Sequence, residues 1–208
     1  MKRTLKMAAL FVAITAIAVS CADKKPEKTI ANLKAAITGE TNASAKYQAF
    51  SEQAAEEGFD NIASMFAAAS FAEAIHIKNH NAVLVALGEE PFNPDAETPV
   101  VEEIEDNLQV AIDGETYEFT VMYPGFIVDA NAEKCEGAVK SFTWAKEAEA
   151  VHAVLYAEAL EIIKMMGTDE EVSAEWYVCP VCGDLFNTID GLDSCPICSA
   201  HSASFKKF

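Results

Sequence analysis

Between residues 29 and 166 apolar positions, many of them alanine, recur at the three-to-four-residue spacing of one helix face. Breaks in that pattern divide the stretch into four long helices. Helix one is expected from Thr29, as N-cap, to Glu57, with Gly58 as its stop. Helix two is expected from Asp60 to Leu87, closed by Gly88. Gly88 to Pro99 holds three prolines and cannot continue a helix. Thr98 followed by Pro99 reads as the cap and first position of helix three, which runs to Cys135 with a kink at Tyr123-Pro124. Gly137 separates it from helix four, Ala138 to Met166, and Gly167 ends that helix. Each helix is about 40 Å long at 1.5 Å per residue. Together they predict an all-α four-helix bundle over 29–167 with one long crossover.

The ends read differently. Lys2, Arg3 and Lys6 precede an apolar run, Met7 to Val19, that is too short to span a bilayer comfortably. Residues 1–21 are therefore expected to be a signal segment. Its close, Ala18-Val19-Ser20-Cys21, resembles the lipobox of bacterial lipoproteins, with Ala18 where leucine is usual. The resemblance implies lipidation of Cys21, export, and attachment to the cell-envelope membrane through the lipid alone. Residues 22–28, with Pro26, read as a polar tether. Loss of residues 1–20 takes the formal charge from −18 to −21. Such acidity argues against nucleic acid and against electrostatic attraction to anionic lipid.

Two short patterns carry the chemistry. Glu73-x-x-His76 and Glu149-x-x-His152 each lie on an apolar helical run, and residues three apart share a helix face. They belong to an internal repeat. Asn32 to Thr41 aligns with Asn107 to Thr116 at an offset of 75, seven of ten positions being identical. A one-residue insertion then brings Glu73 and His76 onto Glu149 and His152. Glu40 and Glu115 are the third repeated pair. Two helices giving a Glu and two giving a Glu-x-x-His are the ligand set of a carboxylate-bridged di-iron or di-manganese bundle. Tyr47 and Tyr123, two turns beyond Glu40 and Glu115, are candidate hydrogen-bond partners of ligating carboxylates. Glu118, one turn past Glu115, matches Ala43 and adds a carboxylate to one side only. Gly39 and Gly114 are expected to let helices approach at the site. Cys135 reads as an inert buried thiol, and His80 and His201 as surface residues.

After a polar linker (168–175), residues 176–208 hold Cys179-x-x-Cys182 and Cys195-x-x-Cys198. Two such knuckles form a tetrahedral four-thiolate site for zinc or a single iron. Trp176, Tyr177, Phe186 and Phe205 would give this small β module an aromatic core.

The duplicated Glu/Glu-x-x-His bundle ending in Cys-Pro-x-Cys-Gly and Cys-Pro-x-Cys resembles rubrerythrin from about Thr29 to Phe208. Gly114-Glu115-Thr-Tyr-Glu118 and Met122-Tyr123-Pro124-x-Phe126 add to the likeness. It implies a ferritin-like bundle, an oxo/carboxylate-bridged di-iron centre, and a rubredoxin-like module holding a tetrathiolate iron. The implied activity is reduction of hydrogen peroxide, with electrons from an upstream reductase passing through the module. Carried over by motif, Glu73 and Glu149 bridge the irons, Glu40 serves one, and Glu115 and His152 serve the other. Glu118 and His76 exchange as ligands between oxidised and reduced states. Asp184-Leu185 stands where the family has an aromatic residue, and Ser199-Ala-His201-Ser where a Pro-Lys pair is common. A module lying a helix length from its own site would need a head-to-tail homodimer to deliver electrons. The alternative is a ferritin-like iron-binding or iron-oxidising protein with a structural zinc module.

Overall fold

The computed structural model describes residues 25–208. Cys21, the leader and residues 22–24 of the tether lie outside the described residues. The helices are α1 (Glu27–Glu57), α2 (Asp60–Ala86), α3 (Ile104–Tyr117), α4 (Tyr123–Ala132) and α5 (Glu136–Met166), with a π-helical segment, Glu118–Met122, joining α3 to α4. α3, the π segment and α4 follow one another without a break as a single rod, so the bundle has four members. α1 packs along α2, and α3 and α4 pack along α5. No helix among the described residues is long and apolar enough to cross a membrane.

Four boundaries differ from expectation, each for a local reason. α1 starts at Glu27 after Pro26, so Thr29 is buried inside the helix and is not its cap. The free amides of Lys28 and Thr29 instead donate to the Glu133 carboxylate, at 3.3 and 2.7 Å, which caps the helix from across the bundle. Thr98-Pro99 does not open helix three. The Asn107 side chain accepts from the Glu102 amide at 3.0 Å and donates to the Glu102 carbonyl, holding that strand extended up to Glu103. Gly137 lies inside α5; the turn falls at Lys134, whose φ is 58°. The bend expected at Pro124 is preceded by the π segment. Proline cannot donate to the turn behind it, and a wider turn there absorbs the lost bond.

The core has two apolar halves. Tyr47, Phe50, Phe66 and Tyr156 anchor one, with ring centroids 5.4–6.3 Å apart. Leu33, Ile37, Leu84, Tyr123 and Phe142 anchor the other. Between them lies a fully buried polar layer.

The C-terminal module is a three-stranded antiparallel sheet of β1 (Tyr177–Val178), β2 (Leu185–Phe186) and β3 (Lys206–Lys207), in the order β2-β1-β3. Trp176 is buried and Phe186 stacks on Phe205 at 5.1 Å. Tyr177 is not core: it is half-buried and its hydroxyl donates to exposed Glu175 at 2.7 Å. The linker is pinned by Asp169, whose carboxylate accepts the Asn61 and Ile62 amides at 2.7 and 3.1 Å and so caps α2.

Candidate metal centres

Six side chains fill the buried polar layer. Glu40 comes from α1, Glu73 and His76 from α2, Glu115 from α3, and Glu149 and His152 from α5. They form two clusters of ligand atoms within 4.8 Å of one another: Glu40, Glu73, His76 and Glu149, and Glu73, Glu115, Glu149 and His152. Glu73 and Glu149 belong to both, as bridging carboxylates must. His76 Nδ1 is 2.9 Å from an oxygen of Glu73 and of Glu149, and His152 Nδ1 is 2.9 Å from Glu149.

This packing suits a pair of bound cations. Glu40 Oε2, Glu73 Oε1, both Glu149 oxygens and His152 Nδ1 are buried without a hydrogen-bond partner. Lone pairs turned toward one another in a dry interior cost several kcal/mol unless a positive charge sits among them. Two divalent ions held by these six side chains would supply partners for such atoms. The donor set fits a di-iron pair, since four carboxylates balance the charge of two divalent ions and two imidazoles complete it.

The two histidines are oriented from outside. His76 Nε2 lies 2.9 Å from the Cys182 carbonyl and His152 Nε2 lies 3.2 Å from the Gly183 carbonyl. A carbonyl only accepts, so each Nε2 carries a proton, and with a metal bound each Nδ1 would turn its lone pair inward. The module supplies both carbonyls, and Asn79 donates to the Val181 carbonyl at 2.8 Å. The expected helix-length separation between module and bundle site within one chain is therefore corrected. Gly183 touches the imidazole of His76.

The one-residue insertion in the repeat has a structural counterpart. Tyr47 is seven residues past Glu40, about 20° short of two turns, whereas Tyr123 is eight past Glu115, about 80° beyond them. The π segment takes up the extra residue, so both tyrosines face the polar layer. Each reaches the opposite repeat: Tyr47 donates to Glu115 Oε1 at 2.6 Å, and Tyr123 donates to Glu40 Oε1. Burial, then the neighbouring Glu115 and Glu40 respectively, holds both phenols well above their usual range, so both remain donors.

Glu118 stands outside both clusters. Its Oε2 is buried and unpartnered, and its Oε1 would lie 3.6 Å from a Cβ on Gly39. Gly39 therefore sits beside this carboxylate, at ordinary contact distance. Nothing approaches Gly114 within 4 Å, and the expectation of close helix contact there does not hold.

Burial dominates the electrostatics of the metal-free cluster. Burial, then Glu73, pushes Glu40 up to about 7; burial, then Glu149 and Glu73, pushes Glu115 up to about 8. Glu118 rises for the same first reason, with Glu40 next. Burial opposes charge on both histidines, but Glu149 raises His76, and Glu115 and Glu149 raise His152, well above the ordinary value. Burial also opposes the charge of Glu73, yet hydrogen bonds with His152 and His76 bring it below its ordinary value.

In the module the Cys179 and Cys198 sulfurs are 3.4 Å apart and those of Cys182 and Cys195 are 3.5 Å apart. All four form one ligand cluster. A hydrogen bond from Cys182 brings the Cys179 thiol down to about 5, so a thiolate is ready for a metal. Asp184 is buried, and Cys195 Sγ donates to it at 3.6 Å.

His80 is the clearest departure from the sequence reading. It is fully buried and is not a surface residue; it touches Tyr123 and Ser141. Its place one turn after His76, on the same apolar face, was the available signal. His201 is exposed, and Cys135 is buried as expected.

The rubrerythrin family profile matches residues 31–160. Nigerythrin from Nitratidesulfovibrio vulgaris is 38% identical over 180 residues, 86% of each chain. Rubrerythrin-2 from Clostridium acetobutylicum is 34% identical over 181 residues, covering 85% of this chain and 94% of that one. The solved structure of fully reduced, all-ferrous nigerythrin superposes with a TM-score of 0.78 at 36% identity, over 98% of this chain and all of that one. The partially reduced state of nigerythrin gives 0.77 at 38% identity, over 95% of this chain and 91% of that one. Sequence, fold and both ligand clusters agree, and the chain belongs to the rubrerythrin family, with a carboxylate–histidine di-iron site and a four-cysteine rubredoxin-like site.

Proposed function

We propose that this chain reduces hydrogen peroxide to water at the bundle site, with electrons entering one at a time through an iron held by the four cysteines. The observation that carries this reading is the contact of the Cys182 and Gly183 carbonyls with His76 and His152. It joins a one-electron centre to the bundle site through one residue and one imidazole. Iron oxidation for storage has no use for such a donor. When bound, two irons supply one electron each, and peroxide with two electrons and two protons gives two waters.

The chain's own residues do the rest. Glu73 and Glu149 would hold the two metals together, while Glu40 would serve one side and Glu115 with His152 the other. His76 would serve the first side, with Glu118 as its exchange partner. Tyr47 and Tyr123 fix the terminal carboxylates. Apolar packing on both sides of the layer excludes bulk water. Replacing Glu118 with alanine should leave two irons bound and slow turnover roughly tenfold or more, by removing a charged ligand from one oxidation state. Iron analysis and steady-state rates check this, and a variant cycling at the parental rate would deny Glu118 any catalytic part.

The function is tested by titrating anaerobically reduced protein with peroxide. One peroxide should reoxidise two electron equivalents in the bundle, with iron retained. Steady oxidation of added ferrous ion by dioxygen, with more than two irons accumulating per chain and a colourless zinc module, would select the iron-oxidising alternative.

Two further parts of this reading concern assembly and place. The chain acts as a homodimer served by a separate reductase, and exchange of modules between two chains would recreate the same carbonyl contacts in trans. Mixing a variant lacking the four cysteines with one lacking Glu73 and Glu149 restores activity if modules exchange, and leaves it absent if each module serves its own bundle. The chain is also exported and held to the membrane through lipid on Cys21, on the strength of the leader's pattern. Fatty-acid labelling that survives Cys21→Ser would refute that attachment.

A further inference from the structure

We propose that His80 and Ser141 are positioning residues for the bundle site, forming a one-way hydrogen-bond chain through Tyr123 that commits Glu40 Oε1 and leaves Oε2 for the metal. The inference rests on the metal-site reading of Glu40. Ser141 Oγ is 2.8 Å from His80 Nδ1, and His80 Nε2 is 3.2 Å from the Tyr123 hydroxyl, which bonds Glu40 Oε1. His80, Tyr123 and Glu40 are fully buried, and Ser141 nearly so.

Proton accounting fixes the direction. A carboxylate bound to a metal has no proton to give, so the single hydroxyl proton of Tyr123 goes to Glu40. The Tyr123 oxygen can then only accept from His80, which requires a proton on Nε2. Burial, then His76, pushes His80 down to about 3, so the ring is neutral and carries one proton. Its Nδ1 must accept, and Ser141 is the donor. Each hydroxyl or N–H in the chain therefore points toward Glu40. The arrangement also explains why Glu40 Oε2 is left buried without a partner in the protein. The opposite half is built differently: Tyr47 lies beside the rings of Phe66 and Tyr156 at 5.9 and 5.6 Å, where Tyr123 has a histidine and a serine behind it.

The first test is nitrogen NMR of histidine-labelled full-length protein carrying zinc(II), which is diamagnetic, in both centres. His80 should show a proton on Nε2 alone and an accepting Nδ1, and Ser141→Ala should change the Nδ1 signal. A proton on Nδ1, or on both nitrogens, overturns the proposal whether or not the protein is a peroxidase. The second test compares iron-loaded variants of equal metal content. His80→Phe fills the same space without a donor and should lose roughly tenfold in peroxide turnover, the scale of one buried hydrogen bond. His80→Gln offers an N–H to Tyr123 and should recover most of that loss. Parental turnover in His80→Phe, or equal loss in both variants, overturns the positioning role.

Discussion

Replacing Gly183 with alanine is expected to cut electron delivery from module to bundle on the order of tenfold or more, with both metal centres still filled. A Cβ at this position would lie 2.3 Å from His76 Nε2 and 3.1 Å from the Ala72 carbonyl. The imidazole cannot retreat, because its other nitrogen faces the metal ligands. The backbone at Gly183 has φ of +85°, which costs a non-glycine residue about 1–2 kcal/mol. The module must therefore lift, and the Cys182 and Gly183 carbonyls leave the two histidines. Metal analysis and the visible spectrum of the four-cysteine iron report that both sites are intact. Rapid-mixing kinetics report the transfer. A variant with filled sites and parental transfer would show that electrons do not cross at this contact.

The second large effect is the pH dependence of the metal-free protein. Glu40 and Glu115 rise from an ordinary value of 4.5 to about 7 and about 8 in the folded chain. Above pH 4.5 the unfolded chain ionises these carboxyls more readily than the folded one, so rising pH favours unfolding. His76 and His152 are also raised, and the stability they contribute is present below about 6.5 and lost as pH climbs through their folded values. Both signs agree. Glu73 acts oppositely, but below its ordinary 4.5 and so outside this window. The apoprotein should lose on the order of 5 kcal/mol of stability between pH 5 and 8. Iron must displace these protons, so loading should release protons near pH 7 and tighten as pH rises. Thermal melts of apo and loaded protein across this range check the signs. An apoprotein that grows more stable toward pH 8 would mean the empty cluster is already ionised.

Much of this was legible in the chain. Helical periodicity located four rods because an apolar face repeats every turn, and the internal repeat identified all six clustered ligands because duplication preserved them. The offset that changes from 75 to 76 was already the trace of the π segment, read only as an insertion. Thr98-Pro99 misled because a good local cap lost to the Asn107 amide, which binds the backbone five residues earlier. Helix α1 is capped by Glu133, more than a hundred residues away, and no local pattern encodes that. The docking of Cys182 and Gly183 on two histidines is equally non-local. The Cys-Pro-Val-Cys-Gly motif specifies a metal knuckle, and nothing periodic says which surface its carbonyls meet. The burial of His80 is legible in its place one turn after His76, but its partners, Ser141 and Tyr123, lie far along the chain and no local pattern names them.

The most direct measurement is stopped-flow mixing of the fully reduced, iron-loaded protein with peroxide and, separately, with dioxygen, followed at the visible absorption of the four-cysteine iron. Peroxide should bring that colour back faster than dioxygen does, at a rate independent of protein concentration, because the donor already touches His76. A faster response to dioxygen, or a four-cysteine iron that stays reduced while peroxide is consumed, would contradict peroxide reduction driven through the docked module.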